Sequence, residues 1–184
     1  MQRSQVDKLV SSLGIVIAIV LLLSSFGLLF AHNFVHQQVY NQLSAQKISF
    51  PATTDAGFKV LPASDQAAIK PFAGQQLTTG AQAEVFADHY IAVHLNNIGG
   101  GKTYSELSAQ AQADPSNAAL AGKVDTVFRG EMLRGTLLNA YAFDTMATVA
   151  GLAAVGAFIG AIVFVILALL GFAHSKKASP KRKK

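Results

Sequence analysis

The chain has 184 residues, of which 51% are hydrophobic and none is cysteine, so disulfides, thiolate metal sites and a catalytic thiol are excluded. Its net charge of +5 is unevenly placed: residues 32–145 carry seven Lys/Arg against nine Asp/Glu, while the last eleven residues carry six Lys/Arg and no acid. The basic balance therefore belongs to a short tail, which argues against a nucleic-acid-binding face.

Residues 1–8 form a short polar leader with Arg3, Asp7 and Lys8. Residues 9–31 then run 23 positions without a charge. About 20 apolar residues in a helix cross a bilayer, and a cleavable signal peptide has a shorter apolar core of about 7–15 residues. The stretch reads as an uncleaved signal anchor with the N-terminus inside. Gly14 and Ala18 give it a small-residue pair at helical spacing.

Residues 32–47 keep a helical pattern in Phe34, Val35, Val39 and Leu43, which extends the first helix beyond the span. His32 and His36 stand at the i, i+4 spacing of a two-histidine metal pair, or serve as polar side chains at a membrane surface. Residues 48–80 hold Pro51, Pro62 and Pro71 among short apolar pieces. Prolines at this density exclude a long helix. One short hairpin pairing 47–50 with 58–61 is expected here.

Thr78 and Thr79 open a helix to about Asn97, with Ala83, Phe86, Tyr90 and Val93 on one face. It carries Glu84, Asp88, His89 and His94, from which two histidines and a carboxylate make a candidate metal set. Gly99-Gly100-Gly101 ends the helix. Gly101-Lys102-Thr103 invites comparison with a phosphate loop, but the first glycine of that pattern falls on Asn96. Thr103 and Glu106 instead fit a capping box, so residues 104–113 are a short helix. Asp114-Pro115 marks another helix start, and a longer helix begins at about Lys123 and continues without a breaker into the second apolar run. On it, Asp125 and Arg129 form an i, i+4 pair. Arg129, Glu131 and Arg134 are candidates for meeting a partner's charges or lipid phosphates.

Residues 146–173 contain no charge and form the second span. Gly156 and Gly160 make a GxxxG pair beside Ala153, Ala157 and Ala161, suited to packing the spans on each other or to docking a partner span. Residues 174–184 follow as a basic tail, in which Lys176, Lys177, Lys181, Arg182, Lys183 and Lys184 set orientation and contact anionic lipid. Both termini are then cytoplasmic in a multi-pass plasma-membrane protein. Neither span holds an ionisable residue, which argues against a pump or transporter. The fold class expected is mainly α: two transmembrane helices flanking a small helical extracytoplasmic domain of residues 32–145.

Phe72-Ala73-Gly74, residues 81–85 with His89, residues 100–107 and residues 128–135 carry a resemblance. The chain resembles a group of small actinobacterial two-span membrane proteins that often bear the label "aromatic ring-opening dioxygenase". The resemblance covers most of the chain from residue 72 and the position of the first span. It implies the two-span topology, and the label implies a non-haem iron enzyme.

The function expected is a non-enzymatic accessory or assembly partner in the bacterial envelope, without a cofactor. Its partners would be the bilayer and a membrane protein or second copy, and not nucleic acid. Two alternatives stay open. One is an iron-dependent ring-opening dioxygenase using His89, His94 and Glu84 or Asp88. The other is a lipid or small-molecule binding module with a pocket lined by Phe86, Tyr90 and Phe128.

Overall fold

The computed structural model describes residues 3–177, and these are mainly helical with no β-strand among them. Lys181, Arg182, Lys183 and Lys184 lie outside the described residues. In chain order the helices are α1 (Arg3–Ala45), α2 (Ala56–Lys59), α3 (Ala63–Ile69), α4 (Gly80–Phe86), α5 (Ala92–Gly99), α6 (Tyr104–Ala113) and α7 (Ala118–Lys177). A 3₁₀ turn, Lys70–Phe72, follows α3, and a π turn, Ala87–Ile91, joins α4 to α5. The chain divides into two compact units: the chain through Phe34 together with the chain from Ala147, and Val35–Met146.

The first unit is an antiparallel helix pair built on a repeat of seven. Ser4, Ser11, Ala18 and Ser25 are buried on α1; Ala147, Ala154, Ala161, Ala168 and Ser175 are buried on α7. A seven-residue period is 3.5 residues per turn, which keeps one seam facing the partner as two helices wind left-handedly. Because every seam residue is small, the backbones approach closely, as in membrane helix pairs. Leu13, Leu23, Phe30, Leu152 and Leu169 point away from the seam and are exposed. Both α1 and α7 are long and apolar enough to cross a membrane.

The second unit has a core of its own, formed by Val39, Leu43, Phe50, Phe58, Leu61, Ile69, Leu77, Phe86, Ile91, Leu95 and Leu137. Burying each such side chain contributes about 1.5–3 kcal/mol before entropy is subtracted. Phe50 anchors the irregular segment: its ring centroid lies 5.3 Å from that of Phe72 and 5.2 Å from that of Phe86, the latter edge-on. The amide of Phe50 donates to the Gln75 carbonyl and that of Leu77 to the Ile48 carbonyl, each at 2.9 Å.

This pairing corrects the expected hairpin. Ser49 bridges Gln76, not the 58–61 segment, and Phe58 sits in the helical turn α2. Phe58 and Leu61 are three residues apart and both buried, a spacing that suits a turn of helix facing the core. The expected start at Asp114-Pro115 is also corrected. Residues 114–117 form a turn in which Ser116 and Asn117 bond the Asp114 carboxylate, and the Asn117 side chain then caps the Leu120 amide at 3.0 Å. Helix α7 therefore begins at Ala118 and continues unbroken past Lys123.

Candidate functional site

Many of the candidate side chains lie on the helix from Gly80 to Gly99 and on α7. Thr79 caps α4 through a reciprocal capping box with Gln82, which fixes the first turn. At Ala87–Ile91 the helix widens into a π turn. The extra residue of a π turn shifts the faces after it, a feature frequent where side chains must be aimed. Here Asp88 turns to α7 and His89 turns to α3.

Asp88 accepts a hydrogen bond from Arg134 Nη2 at 2.7 Å, and Glu131 lies 3.5 Å from Arg134 Nη1. The hydrogen bond to Asp88, stronger than the cost of partial burial, holds the Arg134 guanidinium above even its ordinary range. Arg134 Nε is buried and unpaired, so Asp88 and Glu131 are what satisfy this guanidinium. Arg134 is thus engaged inside the unit. Arg129 pairs with Asp125 at 3.0 Å and stays 77% exposed, so of the two candidate arginines it is the one offered outward.

His89 Nδ1 donates to Asp65 at 2.7 Å, and His94 Nδ1 donates to the Tyr90 carbonyl at 2.8 Å. The four candidate metal ligands are therefore dispersed: His89 to α3, Asp88 to α7, His94 onto its own helix, with Glu84 one turn earlier. Among the described residues no group of three His, Asp or Glu side chains is arranged to hold a metal ion. These described residues do not fit the iron that the dioxygenase label implies. His32 and His36 also diverge. His36 Nδ1 donates to Asp144 at 2.6 Å, within the second unit. His32 Nδ1 donates to the Ala147 carbonyl at 2.7 Å, within the first. His174 Nδ1 reaches Asp7 at 3.0 Å. All five histidines of the chain thus set Nδ1 on an oxygen of the fold.

The aromatic candidates separate as well. Phe86 is buried, with its ring 4.9 Å from Tyr90, and Tyr90 lies 4.4 Å from the His94 ring. Phe128 instead packs on Tyr104 of α6 at 5.4 Å and is 45% exposed. Lys102 bonds Gln110, and Thr103 and Glu106 close the capping box at α6, so the glycine loop serves as a helix connection.

On the helix pair, a Cβ at Gly14 would stand 3.4 Å from Ala168, and one at Gly160 would stand 3.4 Å from Leu21. A Cβ at Gly156 would meet nothing within 4 Å. Lys176 and Lys177 are exposed at the end of α7.

Several residues that position these groups were not singled out from the sequence: Asp7, Asp65, Asp144, Gly130 and Gly151. A Cβ at Gly151 would come within 2.7 Å of His32 Nδ1, so this glycine is what lets His32 reach the α7 backbone. Their partners are 24 to 167 residues away in sequence, and no local spacing announces such pairs. No family model, no curated protein and no solved structure matches this chain.

Proposed function

We propose that the chain is a non-enzymatic integral membrane protein of the bacterial envelope, an accessory or assembly partner of another membrane component. In this reading α1 and α7 each cross the bilayer, the basic tail stays in the cytoplasm by the positive-inside rule, and the Val35–Met146 unit is presented outside. The same reading places both termini in the cytoplasm.

The observation that carries the reading is the fate of the reactive side chains. The histidines the sequence offers for chemistry are held apart, each with Nδ1 on a different oxygen of the fold, so that among the described residues no three His, Asp or Glu side chains gather at one point, and Asp88 and Arg134 neutralise each other. What stays outward is contact surface. Ala153 and Gly156 are exposed on α7, a small-residue face of the kind that accepts a neighbouring span. Arg129, with Phe128 and Met132 beside it, is exposed in the second unit, a composition enriched at protein interfaces.

Crosslinking in intact membranes, followed by affinity purification and identification of bound proteins and metals, tests the reading. A stoichiometric protein partner, reduced by Gly156→Leu or Arg129→Glu, is the expected result. One equivalent of iron and no partner would reject it in favour of the oxygenase reading.

A further inference from the structure

The pair formed by residues 3–34 and 147–177 has a lateral cleft of about 410 Å³ whose lining is apolar apart from Asp7 and Ser11. Gly14 and Gly171 lower its floor, Leu13, Phe164 and Leu167 form its walls, and Asp7 stands at one end. A second groove of about 260 Å³ along the pair, beside Ala18 and Leu22, is lined by apolar residues alone. The first cleft differs by having a charge at its rim.

That charge has the unexpected sign. Asp7 is the only acidic residue in the sequence of this unit, where Arg3, Lys8, Lys176 and Lys177 are exposed cations. Its side chain is 24% exposed and 3.0 Å from His174, which carries a full charge only when protonated. Ser11 turns its hydroxyl to the Asp7 carbonyl at 2.7 Å, so the serine does not serve the carboxylate. An acidic residue at the end of an apolar cleft, next in sequence to Lys8 and paired with His174 two residues before Lys176, is complementary to a headgroup that carries both signs.

Resting on the two-span reading above, we propose that this cleft binds one phospholipid with a primary-amine headgroup. The ammonium meets Asp7, the phosphate faces Lys8 and Lys176, and one acyl chain lies along Leu13, Phe164 and Leu167. A glycerol headgroup can set its phosphate against the same lysines but brings no cation to Asp7, so it gains less there, and charge discrimination sharpens as water is excluded.

The test is reconstitution of the full chain into vesicles of equal parts phosphatidylethanolamine and phosphatidylglycerol, with flotation, gentle extraction and mass spectrometry of retained lipid. The expected result is several-fold enrichment of the ethanolamine lipid, lost in Asp7→Asn and kept in His174→Gln. Co-flotation with equal retention, or with the glycerol lipid preferred, overturns the site but leaves the two-span reading standing. Loss of enrichment in His174→Gln as complete as in Asp7→Asn also overturns it, because the carboxylate then acts only through its histidine. Failure to float with the vesicles overturns both.

Discussion

Gly130 and Gly135 lie five residues apart on α7 in opposite circumstances. A Cβ at Gly130 would overlap the Leu95 side chain of α5, whereas one at Gly135 would meet nothing within 4 Å. Gly130→Ala therefore forces a core side chain aside and costs about 1–3 kcal/mol. Gly135→Ala only removes backbone freedom from a helix and stabilises by about 0.5–1 kcal/mol. Thermal unfolding of the two variants should move the melting temperature in opposite directions. The Asp88–Arg134 pair supplies the second residue-scale prediction. Both groups are about one-third exposed, so solvent screens the pair, and a double-mutant cycle with Asp88→Ala and Arg134→Ala should give a coupling near 1 kcal/mol. Since Arg134 is held above its ordinary range, its contribution persists below that range and is lost only as pH rises through it, so the coupling should not vary with pH between 6 and 9.

At the scale of elements, α6 depends on its capping box. The Glu106 carboxyl is held below the usual Glu range, first by the Thr103 backbone N–H and then by the Thr103 hydroxyl. A depressed carboxylate contributes at pH above its unfolded value, about 4.3, and the contribution is lost as pH falls through the folded value. The protection of amides at the start of α6, taken relative to the intrinsic exchange rate at each pH, should therefore be high at neutral pH and fall below about pH 4. In Thr103→Ala the protection should be weak at every pH. Protection independent of pH would show that the box does not hold this end. This element was legible in the sequence because Thr103 and Glu106 act over three residues. The glycine stop was legible for the same reason: Gly100 adopts φ 64° and the Gly101 amide returns to the Asn96 carbonyl. The π turn was not legible, since the apolar positions Phe86, Tyr90 and Val93 fit a regular helix and the partners of its His89 and Asp88, Asp65 on α3 and Arg134 on α7, are distant in sequence. Nor was the pairing of Ser49 with Gln76, whose partners are joined through two intervening helices and a 3₁₀ turn.

Across the whole molecule, the two apolar stretches were plain from length and absence of charge, and so was the mainly helical class. Which face of each helix meets the other was not. GxxxG spacing draws attention to Gly156 and Gly160, yet the buried seam follows alanines and serines seven apart, and Gly156 is open. Small residues abound on every face of α7, and only the three-dimensional pairing with α1 selects among them. Ala161→Leu should separate the helix pair, read as loss of a disulfide between cysteines introduced at Gly14 and Ala168, whose Cβ atoms would stand 3.4 Å apart. Gly156→Leu should leave that disulfide intact. Equal behaviour of the two variants would contradict the seam.

The claim on which the rest depends is that the chain crosses the membrane twice with its second unit outside. The chain has no cysteine of its own, so single introduced cysteines report without background. Labelling intact cells with a membrane-impermeant maleimide should modify Lys102→Cys at once and Lys177→Cys only after permeabilisation. Labelling of Lys177→Cys in intact cells while Lys102→Cys stays protected would contradict the account.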